Sequence, residues 1–117
     1  APPTGGMHVK TGNTTLLVSF GEMACFYVEG EYVKLLTISG KSYFLDQSLN
    51  RLEEKLPATL FFRLNRQCIL HRQAISGFKR IENGKLEVQL QNPGNLPLEL
   101  TISRTKAVAF KAWFLPE

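Results

Sequence analysis

Residues 60–75 read LFFRLNRQCILHRQAI, and the fold follows from how this stretch alternates. Phe61, Arg63 and Asn65 fall on one side of a period-2 pattern, and Phe62, Leu64 and Arg66 on the other, as side chains do along a β-strand. The pattern passes through a short apolar run, Cys68-Ile69-Leu70, into a polar turn, His71-Arg72-Gln73. Three arginines in so short a space imply an anionic neighbour. The charge count sharpens this: residues 55–81 hold six basic side chains (Lys55, Arg63, Arg66, Arg72, Lys79 and Arg80) and no Asp or Glu. The whole chain has 14 basic and 10 acidic residues, so the 8 basic and 10 acidic residues outside that window sum to −2. The positive charge is local, which is the footprint of a surface that meets a polyanion.

Working outward, residues 1–13 (APPTGGMHVKTGN) are rich in Pro, Gly and Thr, lack periodicity and read as a linker or frayed terminus. Residues 14–20, 22–28, 32–38 and 42–45 read as four strands, broken by Gly21, by Glu29-Gly30-Glu31 and by the hairpin signal Ser39-Gly40-Lys41. Ser48 can cap a helix whose apolar stripe is Leu49, Leu52 and Leu56; Arg51, Glu53, Glu54 and Lys55 fill its wet face, and Pro57 ends it. Beyond the central stretch, residues 75–81 and 85–90 flank Asn83-Gly84, a dipeptide that favours a tight hairpin because both residues accept positive φ. Residues 91–97 read as a loop and 98–102 as the last strand, after which Ser103 can cap a final helix carrying Ala107, Val108, Phe110 and Phe114. Many short strands and two helices indicate a mainly β fold of short antiparallel sheets, one domain spanning residues 14–117.

At 117 residues, with 44 % hydrophobic and 21 % charged side chains, the chain is long enough to bury a core without staples. No apolar run approaches the roughly 18–20 residues of a membrane-spanning helix. Cys25 and Cys68 each sit in an apolar strand-like run and read as buried, reduced thiols of a cytoplasmic protein; a bridge between them is geometrically conceivable. Cys68 and His71, three apart on a strand, point to opposite faces, so no metal site and no cofactor are expected. Glu53 and Glu54 are adjacent, point apart on a helix and make no catalytic pair. No phosphate-binding glycine loop, nucleophile elbow or zinc-protease motif is present, so an enzyme is not expected.

The basic residues carry the functional reading. A guanidinium can hold a phosphate, or the O6/N7 edge of guanine, with two parallel hydrogen bonds. Arg66, Gln67, His71 and Arg72 lie at or beside a strand end, and Arg104 at the last strand-to-helix junction. Arg66 and Arg104 are the expected base readers, with Gln67 and His71 as secondary candidates. Arg63, Arg72, Lys79, Arg80 and Lys106 are expected on phosphates, and the first turn of the final helix offers free N–H groups to another. Arg63, between Phe62 and Leu64, reads equally well as a structural arginine paired with a carboxylate at the edge of the core. Taken together, these cations are expected to stand on one exposed rim.

The order Phe61-x-Arg63-x-Asn65-Arg66-x-x-Ile69-Leu70-His71 resembles the signature F-x-R-x-H-R-S-x-I-V-N of LytTR DNA-binding domains. Asn65 stands where the family usually has His, Gln67 where it has Ser, and His71 where it has Asn. The resemblance implies a bacterial transcription factor of mostly β structure, whose loops and strand ends enter successive major grooves of double-stranded DNA. It also implies base contacts from the loop after the second strand, which here holds Glu31 or Tyr32, and again from Arg66 and Arg104. A carboxylate at Glu31 would repel phosphate but can accept from cytosine N4. Family analogy further implies two copies on a repeated site and an upstream receiver or sensor module, as in two-component response regulators. The rival expectation is a small β-barrel-like module that binds RNA or protein.

Overall fold

The structure, a computed structural model, describes residues 5–91 and 99–115. In chain order the strands are β1 (Gly6–Thr11), β2 (Thr14–Ser19), β3 (Met23–Glu29), β4 (Tyr32–Thr37) and β5 (Ser42–Leu45). Helix α1 (Leu49–Lys55) leads to β6 (Phe61–Asn65), β7 (Cys68–His71), β8 (Ile75–Arg80), β9 (Leu86–Leu90), β10 (Thr101–Ile102) and helix α2 (Arg104–Phe114). The two helices begin where their caps predict: the Ser48 hydroxyl accepts from the Arg51 N–H and the Ser103 hydroxyl from the Lys106 N–H.

The central stretch is a hairpin. Phe61 pairs with His71, Phe62 with Leu70 and Arg63 with Ile69, and the chain reverses at Arg66-Gln67. β3 and β7 then form the middle of a five-stranded antiparallel sheet of order β5-β4-β3-β7-β6. Their near-continuous apolar runs are explained by burial on both faces. Phe26 and Ile69 point to one side, where β1, β2 and α1 contribute Val9, Val18, Leu49, Leu52 and Leu56. Cys25, Tyr27, Cys68 and Leu70 point to the other, where β8-β9-β10 and α2 contribute Ile75, Leu86, Val88, Ile102 and Phe110. Fully buried Phe26, Phe110 and Leu52 each contribute about 1.5–3 kcal/mol through the surface they remove from water.

Three sequence expectations are corrected. Gly6–Thr11, inside the stretch read as linker, is a strand: it pairs with β2 from Gly6↔Ser19 to Thr11↔Thr14, and Val9 is its one fully buried residue, with Met7 partly buried beside it. A strand with one buried side chain shows little periodicity, so composition hid it. The last strand, expected over residues 98–102, is the two-residue β10, while residues 92–98 of that strand and its preceding loop lie outside the described residues. The sheets are open rather than barrel-like, ending in β5 and β6 on one side and in β8 and β10 on the other. The Asn83-Gly84 hairpin forms as read, with φ of 63° and 75°.

Candidate nucleic-acid interface

The bend of the β6–β7 hairpin is built so that Arg66 has nothing to do inside the protein. Arg63 Nε donates to the Asn65 carbonyl at 2.6 Å and Arg63 Nη2 to the Arg66 carbonyl at 3.3 Å. Asn65 Oδ1 accepts the Gln67 N–H at 2.7 Å, a side-chain-closed turn of the kind asparagine favours. With the backbone of residues 65–67 so held, the side chains of Arg66 and Gln67 are exposed, and among the described residues neither has a hydrogen-bond or ion-pair partner. A register shift between Arg63 and Asn65 resets the alternation at this end of β6 and turns the Asn65 amide toward β10.

Three further turns meet the same edge. The Val28 N–H donates to the Gln67 carbonyl at 3.0 Å, which brings the β3–β4 turn alongside the bend. Glu31 and Tyr32 of that turn share a cleft of about 500 Å³ with Arg66, Asp46, Gln47 and Asn50. On the other flank, Asn65 Nδ2 donates to the Thr101 carbonyl at 2.9 Å, and Arg66, Ser103 and Lys106 line one cleft of about 470 Å³. Arg104 follows Ser103 and is exposed. Its stem lies over the Asn83-Gly84 turn so closely that a Cβ on Gly84 would sit 2.8 Å from its Cγ and Cδ. Arg80, paired in register with Leu86, is exposed at the end of β8, where the strand leads into the same turn. Glu31, Tyr32, Arg66, Gln67, Arg80 and Arg104, drawn from four separate turns, thus lie along one rim.

The other expected site residues fall elsewhere. His71 is 5 % exposed and sits at the far end of β7, about 10 Å along the strand from Cys68 at the bend. Its Nδ1 accepts the Gln73 N–H at 3.0 Å, so the ring caps a 3-10 turn and packs edge-on to Phe61 at 4.7 Å. Burial first, and the Arg72 charge second, push its pKa down to about 4. Arg72 lies 4.2 Å over the Trp113 ring and donates to the Thr59 carbonyl at 3.2 Å and the Phe114 carbonyl at 3.4 Å. Arg63, 14 % exposed, pairs with Glu53 at 3.0 Å and with Asn50 Oδ1 at 2.9 Å. Of the two readings open for Arg63, the geometry matches the structural pair. The expected single rim of cations is therefore divided: Arg66, Arg80 and Arg104 occupy it, whereas Arg63, His71 and Arg72 are drawn into packing.

Lys106 is intermediate. Its Nζ donates to the Arg63 carbonyl at 2.7 Å and lies 5.6 Å from the Phe62 ring, leaving further ammonium donors toward the cleft. Lys79 is exposed on β8, 3.4 Å from Glu87. Cys25 and Cys68 are buried, with burial pushing both thiols up to about 12. They are diagonal rather than opposite, since Cys25 faces Leu70 and Cys68 faces Tyr27.

Sequence reasoning missed Asn65, Gly84 and Glu53 as parts of this edge. Glu53 looked like a solvated helix face, and only the fold brings it to Arg63. The signal for Asn65 was present, because a turn-forming amide beside Arg66 interrupts the strand pattern.

Comparison with known proteins agrees with this fold. A family model described as the LytTr DNA-binding domain matches residues 13–115. The sensory transduction protein LytT of Enterococcus faecalis is 34 % identical over 100 residues, which cover 78 % of this chain and 40 % of that relative. The chain therefore spans less than half the length of that relative. A solved LytTr DNA-binding domain from Bacillus cereus shares the fold with a TM-score of 0.76 at 17 % identity, over 93 % of this chain and 95 % of the other. With nearly its whole length matched by the family model, the chain belongs to the LytTR family of DNA-binding domains.

Proposed function

We propose that the chain binds double-stranded DNA sequence-specifically, as the output domain of a bacterial two-component transcriptional regulator in the cytoplasm. The observation that carries this reading is that Arg66 stands exposed on a cleft it shares with Ser103 and Lys106, and that Arg104, distant in the chain, is exposed directly after Ser103 at the same edge. In this reading Arg66 and Arg104 enter the major groove and hold guanine edges, and Gln67, Tyr32 and Glu31 contact the adjacent bases. Lys79, Arg80 and Lys106 fix the phosphate register, with the open N–H groups at the start of α2 receiving one more phosphate. Arg63 and Arg72 move from the phosphate contacts to the scaffold, and His71 leaves the reading surface. Two copies on a repeated site, and an upstream receiver or sensor module, complete the proposal on family grounds.

Selection of bound fragments from random duplex DNA tests it, followed by binding measurements on the selected and on scrambled duplexes. Arg66→Ala is expected to cost about 1–3 kcal/mol on the selected duplex and to relax base choice at one position, with little change on scrambled DNA. Equal weakening on both duplexes, or a selection that yields no preferred sequence, overturns the assignment. Tighter binding to single strands or to structured RNA than to any duplex would instead favour an RNA-binding module.

A further inference from the structure

Asn65 bears no charge, and what singles it out is that its amide bonds in two directions, its Oδ1 also accepting from the Cys68 thiol at 3.7 Å. The Oδ1 accepts the Gln67 N–H at 2.7 Å and closes the bend that presents Arg66. The Nδ2 donates at 2.9 Å to the carbonyl of Thr101, 36 positions away, in the strand that runs directly into Ser103 and Arg104. The Asn65 backbone is fixed as well, because its carbonyl accepts from Arg63 Nε at 2.6 Å. β6 and β10 belong to different sheets and share no ladder, so their separation rests on packing and on side-chain bonds such as this one. Few short side chains offer an acceptor and a donor from one rigid plane. Asp lacks the donor, and the Ser hydroxyl is too short to span both partners.

Resting on the DNA reading above, we propose that Asn65 is a positioning residue that sets the separation between Arg66 and Arg104, and so the spacing of the two base blocks that they recognise. A rigid protein reads two blocks at one separation, because inserting a base pair between them rotates and displaces the second block. A protein whose two turns move independently tolerates the insertion. Asn65 converts two exposed arginines into one ruler.

The test uses the full chain and three duplexes: the selected sequence, the same sequence with one base pair inserted between the blocks, and a scrambled control. The blocks are located beforehand as the positions whose base preference disappears in selections with Arg66→Ala and with Arg104→Ala. The wild type is expected to bind the inserted duplex about tenfold more weakly than the selected one, the cost of a typical mismatch. Asn65→Ser keeps an acceptor for the Gln67 N–H but cannot reach Thr101, and adds no charge. It is expected to bind the selected duplex about three- to tenfold more weakly, in line with one lost hydrogen bond. On the inserted duplex its further loss is expected to be twofold or less, with the scrambled duplex unchanged. Asn65→Thr, which suits a strand end, carries the same test if the serine variant does not fold. An undiminished insertion penalty in the variant overturns the proposal, as does an equal loss on all three duplexes. A wild type that shows no base preference overturns the DNA reading itself, and that failure is visible before any Asn65 variant is made.

Discussion

Arg66 at the bend of the β6–β7 hairpin and Arg72 just past its open end are the same residue type in the same acid-free stretch, yet they meet opposite surroundings. At the open end, α2 lays Trp113 and Phe114 against the hairpin, and the α1–β6 connection offers the carbonyls of Ala58 and Thr59. Arg72 stacks on the one and bonds the other, while His71 is buried with its ring edge-on to Phe61. At the bend, among the described residues, Arg66 is exposed between two open clefts, and the backbone beside it is already satisfied by Asn65 and Arg63. A positive charge in the sequence is thus available to a ligand only where the fold leaves it without carbonyls and rings to cover. Substitutions at the open end should therefore change stability and spare recognition, and substitutions at the bend should do the reverse.

The largest effect expected from this contrast is in the pH dependence at the open end. The folded pKa of His71 is pushed down to about 4 from an ordinary 6.5, so its neutral form belongs to the folded state. The stability it contributes is fully present above pH ~6.5 and is lost as pH falls toward 4, by up to about 3 kcal/mol. His71→Asn does not titrate and keeps an acceptor for the Gln73 N–H. Denaturant unfolding at pH 7 and pH 4.5 should show the wild type losing more stability than this variant, with DNA binding equal at pH 7.5. A drop in binding at pH 7.5 would mean that the open end is read after all. Arg72→Ala comes next: losing the Trp113 stack and the carbonyl bonds should cost about 2 kcal/mol in thermal unfolding. The ratio of selected to scrambled affinity should not move.

Gly84 sharpens the comparison from the rim side. Alanine there meets the stem of Arg104 at 2.8 Å and takes a φ of 75° that side chains resist. Gly84→Ala should cost about 1 kcal/mol in stability. It should also weaken the selected duplex severalfold, an effect that vanishes in an Arg104→Ala background if the glycine acts only by seating that arginine. Binding losses that persist in the double variant would show the turn itself touching DNA.

How much of this was legible beforehand depended on the range of the cause. Ser48, Ser103 and Asn83-Gly84 act within three residues, and each did in the fold what its chemistry implies. The two-faced burial of β3 and β7 was written as unbroken apolar runs. The exposure of Arg66 and Arg104 could be read because strand ends project side chains outward. Arg63, His71 and Arg72 could not be sorted, because their partners Glu53, Gln73 and Trp113 include residues 10 and 41 positions away. Asn65 joins both classes: its bond to Gln67 is local, whereas the one to Thr101 exists only once two sheets have packed.

The smallest expected effect concerns Lys79, which belongs to neither end of the hairpin. Its ammonium lies 3.4 Å from Glu87, the two side chains are 59 % and 43 % exposed, and such pairs contribute about 0–1 kcal/mol. Lys79→Ala should leave thermal unfolding within about 0.5 kcal/mol of the wild type. The phosphate contact proposed for it should show instead in the salt dependence of binding, since each neutralised phosphate adds roughly 0.9 to the slope of log K against log salt. For a wild-type slope of about −4, the variant should fall near −3 and should lose affinity equally on selected and scrambled duplexes. An unchanged slope would make Lys79 a solvated strand face and confine the phosphate contacts to Arg80, Lys106 and the start of α2. A loss confined to the selected duplex would move Lys79 onto the rim with Arg66, and the division between reading and anchoring residues would then have to be redrawn along β8.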